Sequence, residues 1–448
     1  MILLYNKFLE NIILPVGDFA LGTSFMHELN KWRKISRLGE AALHNISNEN
    51  LRKLLDFATA NVPYYKKFAG GNSNEPVSWL KSLPVVDKIN YNKNIDTFLS
   101  APSHKLIPNY SSGSSGVQGV VYMNKKEQSA IQAIQTMFWE WSGYYPGKPI
   151  VQTGMTPIRG TAKSLKDFFF KTRYYSAFGL DGKELSGILK QQSGLNNYHL
   201  GGYASSLYLL ACEALENKIT DIRFDAVISW GDKMFPHYRK KISEAFNCLV
   251  YDTYGTTEGT MIAAQKDLEY YYIITPHVYL EILDENDNEV VDGTIGRVVV
   301  TRLDGFSMPL IRYANGDLAA KLPRNKYPEK RDLAFPLLEI VVGRDTDIVY
   351  TASGKYLIVH FFTGIFEFYP QIKQFKVIQR ERQSIEIEYI PGKEYQPKTL
   401  KMIEDKIAER LGERLNVKWR EVKSIKPTAS GKPQIIESFI AGGRKPLN

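Results

Sequence analysis

The sequence predicts an α/β protein, with a large N-terminal part of several subdomains followed by a small α+β C-terminal unit. Three patterns carry this reading. Between Pro149 and Asp252, short apolar runs alternate with amphipathic runs, the signature of βαβ units and a largely parallel sheet. From Val278 the period changes to two in VYLEIL, RVVVTRL and LIRYA, which suggests an antiparallel or barrel-like subdomain. The last hundred or so residues then read strand, strand, helix, strand as a unit of their own.

Taken in order, Leu4, Phe8 and Ile12 share one helical face by i, i+4 spacing. They read as a helix docked on the core, the simpler alternative to a membrane-surface anchor. Asn48–Leu55 and Asp56–Phe68 carry helix spacing, and Val85-Val86-Asp87-Lys88 marks a turn into another short helix. Tyr110–Gly119, YSSGSSGVQG, is a Ser/Gly loop, followed by a strand at Val120–Tyr122 and a helix over Lys125–Trp141. Strands are expected at Pro149–Thr153, Ala226–Ser229 and Cys248–Asp252, with helices at Ser205–Leu215 and Pro236–Phe246. In the C-terminal unit, Gln374–Arg380, Ser384–Ile390 and Val417–Val422 read as strands and Pro397–Leu411 as an amphipathic helix. The expected boundary falls at Gly343–Asp347, dividing the chain into residues 1–343 and 344–448.

Composition narrows the class. The 448 residues, 44% hydrophobic and 23% charged, exclude a disordered, collagenous or disulfide-scaffold protein. Cys212 and Cys248 alone cannot form a Cys-based zinc site or a disulfide framework, which fits a reducing, cytoplasmic compartment. The N-terminus lacks a basic leader region, and no run is long and apolar enough for a transmembrane helix. The net charge of +9 favours a polyanionic ligand. No Lys/Arg-rich block marks a nucleic-acid arm, so nucleic acid is not expected as a partner.

Several short stretches bear chemistry. In the Ser/Gly loop, Ser111, Ser112, Ser114 and Ser115 interleave with Gly113 and Gly116. Exposed backbone N–H groups and hydroxyls suit a phosphate cradle, although a flexible linker has the same composition. YDTYGTTEG at Tyr251–Gly259 follows a strand and sets Glu258 in a tight polar turn. RYANGD ends at Asp317, GRDTD holds Arg344, and KPTASGKPQ holds Lys432 in a Gly-containing loop.

These five stretches, in this order, resemble the adenylate-forming superfamily of acyl-CoA synthetases. Within it the chain is most similar to the phenylacetate–CoA ligase family and its CapK-like relatives in capsular polysaccharide gene clusters. The resemblance spans nearly the whole chain and implies stacked N-terminal subdomains with a mobile C-terminal lid. It also implies a two-step reaction, in which a carboxylate attacks ATP to give an acyl-adenylate and a thiol, usually coenzyme A, then takes the acyl group. The alternative acceptor is an amine, a sugar or a carrier protein. A non-catalytic acyl- or nucleotide-binding protein is the competing class.

By resemblance, the loop Ser111–Gly116 would hold the β- and γ-phosphates, Thr257 the α-phosphate, and Glu258 the Mg²⁺. Tyr254, beside Gly255, would stack on adenine, near Asp232. Asp317 would accept hydrogen bonds from both ribose hydroxyls, and Arg344 would touch ribose at the domain junction. Gly354 would let the C-terminal domain approach a pantetheine tunnel, and Lys432 would bridge carboxylate and α-phosphate. The acid would lie near Trp230, Gly231, Met155 and Arg159. Implied ligands are ATP, Mg²⁺, CoA and a small carboxylic acid, with a homodimer allowed.

Four departures from the family pattern stand out. Val117-Gln118-Gly119 lacks the loop Lys, with Lys125 or Lys126 as nearby cations. Thr346, followed by Asp347, stands at the hinge position, and Asp232 stands where Glu is usual. Ala263–Pro276 has no Cys, so no zinc is expected, and His277 reads as a core histidine. Arg312 reads as either structural or phosphate-facing.

Overall fold

Alternation and period two end up in one continuous sheet. The computed structural model describes residues 2–110, 120–154, 160–176, 182–194, 196–256, 258–344, 348–352, 356–366, 368–369, 371–392, 394–425 and 435–440. The parallel half runs Thr172–Ser176, Ile150–Gly154, His199–Tyr203, Ala226–Trp230 and Leu249–Thr256 in spatial order. At Leu249–Thr256 the pairing turns antiparallel. It continues through Thr260–Ala264, Tyr271–Ile273, Leu337–Arg344, Tyr313–Lys321, Gly296–Arg302 and Val278–Leu283. Of the two expected forms, antiparallel or barrel-like, the antiparallel one is found: these strands extend the parallel sheet and do not close into a barrel, because the hairpin at Thr256–Thr260 reverses the chain without leaving the sheet.

Helices cover this sheet. Ala204–Glu216 and Pro236–Phe246 pack Leu207, Ala211, Ile242 and Phe246 against Val227 and Leu200 in one core. Lys125–Glu140 buries Ala133, Ile134, Met137 and Phe138 in a larger core with the antiparallel strands. Its start is a full capping box: Asn124 accepts from the Glu127 N–H, and Glu127 accepts from the Asn124 N–H. The two helices expected over residues 48–68 are one, Glu40–Asn61, which stops before Val62-Pro63 because the residue preceding proline disfavours helix.

The two-residue strand Val86–Asp87 pairs in parallel with the start of Tyr313–Lys321. Asp87 then caps the helix Lys88–Lys93 by accepting from the Asn90 N–H at 2.7 Å. A third core, Val349 to Ile436, lies between Val359–Phe366, Lys398–Leu411 and a sheet ordered Asn416–Glu421, Ser384–Pro391, Ile372–Glu381, Ile436–Ser438.

The N-terminal helix departs from its expected packing. Leu4, Phe8 and Ile12 are 74, 47 and 50% exposed, so the face assigned to the core points outward. A different face docks. Leu9 is buried, the Tyr5 hydroxyl donates to the Phe169 carbonyl at 2.8 Å, and Asn6 donates to the Pro146 carbonyl at 2.9 Å. Among the described residues no helix is long and apolar enough to cross a membrane.

Candidate active site

In an open parallel sheet the strands deliver their carboxyl ends to one edge, where ligands are held. Gly154, Tyr203, Trp230 and Asp252 share that edge. Buried polar bonds fix it. The Ser229 hydroxyl donates to Asp252, Tyr271 donates to the other Asp252 oxygen at 2.6 Å, and Thr153 bonds Ser206 at 2.6 Å. Burial pushes the Asp252 carboxyl above its ordinary range, against the pull of these donors.

The strand Leu249–Thr256 carries Tyr254 past this edge into a tight turn. Gly259 closes the turn at φ +84°, a left-handed conformation that favours glycine. The turn holds Glu258 almost buried. The Tyr313 hydroxyl donates to its Oε1 at 3.2 Å, and Lys88 Nζ stands 3.9 Å from the same oxygen. Burial and the nearby Glu258 charge drive the Tyr313 phenol far above its ordinary range, so it stays a donor. Glu258 opens on a small cleft lined by Tyr122, Glu127, Thr260 and Arg302.

A second acid lies further along the Tyr313 strand. The chain bulges at Ala314–Asp317, where Gly316 takes φ +81°. This bulge presents Asp317, whose Oδ2 accepts from the Tyr254 hydroxyl at 2.7 Å and from Asn315 Nδ2 at 2.8 Å. Asn315 also donates to the Tyr254 oxygen at 2.9 Å. Arg344 is the register partner of Asp317 on the neighbouring strand. Three residues read from separate motifs, Tyr254, Asp317 and Arg344, thus converge, and Tyr313 connects them to Glu258.

Other expected residues have structural tasks. Asp232 accepts from the Ala204 N–H and so caps the helix Ala204–Glu216. Trp230 stacks on Trp139 at 5.2 Å and forms a wall beside Tyr144 and Ile150. Gly231, at φ +81°, passes so close to the Tyr203 ring that a Cβ would lie 2.4 Å from it. Gly255 packs against Met261 and the Thr260 carbonyl.

Arg312 is structural. It makes a two-pronged ion pair with buried Glu281 at 3.2 and 3.0 Å and donates to the carbonyls of Lys81 and Leu83. Lys125 bonds the Leu21 carbonyl at 2.7 Å and is turned to the N-terminal helix. His277 is a buried core histidine: Nδ1 bonds Asp304 at 2.9 Å, and Nε2 accepts from the Met261 N–H at 3.3 Å. Among the described residues no group of three or more His, Cys, Asp or Glu is arranged to hold a metal. Ser111, Ser112, Gly113, Ser114, Ser115, Gly116, Met155, Arg159, Thr257, Gly354 and Lys432 lie outside the described residues, as do Thr346 and Asp347.

Sequence reasoning missed Lys88, Tyr313, Asn315 and Glu127. Glu127 Oε1 accepts from the N–H groups of Phe306 and Ser307 at 2.6 and 2.7 Å, fixing the loop under the cleft. Its local signal is the Asn124-x-x-Glu127 capping box; Tyr313 and Asn315 lie within RYANGD, and no local pattern marks Lys88.

Comparison with known proteins bears on the fold. Residues 349–438 match the family model of the CapK C-terminal domain. Over 427 residues the chain is 24% identical to Protein CapK of Staphylococcus aureus, covering 91% of this chain and 92% of that protein. It is 28% identical over 125 residues to the phenylacetate-coenzyme A ligase of Pseudomonas putida, covering 27% of this chain and 26% of that protein. The structure of 2-hydroxyisobutyryl-CoA ligase, in the postadenylation state with 2-HIB-AMP, superposes with a TM-score of 0.72 at 16% identity over 91% of both chains. The fold is that of the adenylate-forming acyl-CoA ligases.

Proposed function

We propose that this chain, an adenylate-forming ligase by fold with a CapK-type C-terminal domain, activates a carboxylic acid with ATP and passes the acyl group to coenzyme A. The observation that carries the reading is the convergence of Tyr254, Asp317 and the Arg344 backbone beside buried Glu258. A carboxylate with two acceptor oxygens on a rigid bulge suits the paired hydroxyls of a ribose. Tyr254 and Asn315 hold that carboxylate in place, and Arg344 lies directly across the sheet. The structural neighbour named above holds an acyl-adenylate, which supports the same chemistry here.

Glu258 fits a divalent metal. It is a hard oxygen donor, nearly buried and oriented by Tyr313, and Mg²⁺ needs only one or two carboxylates beside phosphate oxygens and waters. Bound there with ATP, Mg²⁺ would neutralise phosphate charge. The loop Ser111–Gly116 and Thr257 are assigned to the phosphates, and Lys432 to the attacking carboxylate and α-phosphate. Gly354 is assigned to the CoA approach. Trp230 and Gly231, at the carboxyl end of the strand Ala226–Trp230, are assigned to the acid pocket, together with Met155 and Arg159. ATP and CoA as co-substrates fit a cytoplasmic enzyme.

A second reading changes only the acceptor, to an amine, a sugar or a carrier protein. It is favoured by the extent of the CapK match, which spans the chain, whereas the phenylacetate-coenzyme A ligase match spans about a quarter. Both readings are tested by exchange of labelled pyrophosphate into ATP across a panel of carboxylic acids. Exchange with at least one acid is expected, and none with any acid overturns adenylation. Exchange without CoA consumption moves the assignment to the second acceptor class.

A further inference from the structure

The N-terminal helical run presents an apolar face that no described residue covers. Leu4, Phe8, Ile12 and Val16 are all exposed along it. An α-helix overshoots by about 40° at each step of four residues. The π-helical turn Leu9–Ile13 winds more widely and takes back part of that drift, which keeps the four side chains in one stripe. A neighbouring element exposes apolar side chains as well. The helix Thr161–Phe170 exposes Leu165 and Phe168, and it is joined to the first by the Tyr5 bond to the Phe169 carbonyl and by Lys171 over the Tyr5 ring at 3.9 Å.

Charge around this face is one-sided. Lys7, Lys163 and Lys166 are exposed beside it. The acids of the N-terminal run are turned inward. Glu10 is bound by Arg33 at 2.7 Å, and Asp18 accepts from Thr23 and from the N–H groups of Phe25 and Met26. Asp167 on the second helix is half-buried. An apolar stripe with a cationic rim is complementary to one kind of surface, the headgroup region of a bilayer carrying anionic lipids.

We infer that the N-terminal helical run and the helix Thr161–Phe170 together form a face that lies on an anionic bilayer surface. The face docks without crossing, and none of its exposed residues is assigned to the proposed reaction. It does not depend on the proposed reaction.

The test is cosedimentation of the full chain with vesicles of phosphatidylcholine alone and with 30 mol% phosphatidylglycerol. Binding to the anionic vesicles should exceed that to the neutral ones by about tenfold or more and weaken with salt. Phe8→Glu with Phe168→Glu should abolish it, and Lys163→Glu with Lys166→Glu should lower it by about tenfold or more. These positions are exposed, so an unchanged melting temperature verifies folding. Absence of binding to anionic vesicles overturns the inference. A dimer in light scattering that Phe8→Glu splits, with no vesicle binding, overturns it too and gives the face to a second copy.

Discussion

Asp317 and Arg344 are register partners on neighbouring antiparallel strands, and the Tyr254 hydroxyl reaches across to Asp317 at 2.7 Å. Tyr254→Phe keeps the ring and removes the donor. A hydrogen bond to a charged group contributes about 1.5–3 kcal/mol, so loss of this one should raise the KM for ATP by about tenfold or more. The KM for the acid should stay unchanged. Pyrophosphate exchange at varied ATP measures this, and an unchanged KM for ATP would remove the ring hydroxyl from the nucleotide site.

Glu258→Gln keeps the Tyr313 partner and removes the charge. Exchange activity should fall by about two orders of magnitude, the scale on which single electrostatic groups act in active sites, and more Mg²⁺ should be needed for half-maximal rate. An unaltered Mg²⁺ dependence would take the residue out of its assigned role.

Much of this site was readable before the fold, and the reason is chemical compression. Glu258, Asp317 and Arg344 each sit in a run of about six residues whose turn and strand character is local. Lys88 was not readable, because it reaches the site only through the parallel pairing of Val86–Asp87 with Tyr313–Ala314; Tyr313 and Asn315 lie within RYANGD, but their partners Glu258 and Tyr254 come from a distant strand and turn. The parallel half of the sheet showed in its alternation. Its continuity with the antiparallel half did not, since a period of two is the same in a separate barrel and in an extension of the sheet. The apolar stripe of the N-terminal helix was visible as a pattern, but a pattern does not say which face another element covers: Leu9 went inward and Leu4 outward.

Arg312 separates stability from activity. It holds φ +52° and is the ion-pair partner of Glu281, whose carboxyl is pushed up by burial while Arg312 pulls it down. Removing one member of a buried pair costs about 3–5 kcal/mol. Arg312→Met should show that loss in urea unfolding, and Arg312→Lys should show a smaller one. For whichever variant folds, the KM for ATP should match the parent. A raised KM at unchanged stability would place the side chain at the phosphates instead.

Lys432→Ala should lower adenylate formation by about a hundredfold or more while sparing thioester formation from supplied acyl-AMP, because a cation at the α-phosphate serves only the first step. Rapid-quench measurement of each half-reaction distinguishes the outcomes. Equal losses in both would contradict the assignment.

His199 gives the fold a pH dependence. It is fully buried at the start of its strand, with Nε2 bonded to the Ser142 carbonyl at 3.2 Å, and burial, with the Lys148 charge, pulls its pKa from 6.5 down to about 4. Between those values the unfolded chain binds a proton that the folded chain refuses. The stability it contributes is therefore present above pH 6.5 and is lost as pH falls toward 4. At 1.36 kcal/mol per unit, the loss is roughly 3 kcal/mol. Urea unfolding across this window should show that slope in the parent and a shallower one in His199→Gln, which has no proton to take up. Parallel slopes in the two proteins would assign the acid sensitivity to other groups.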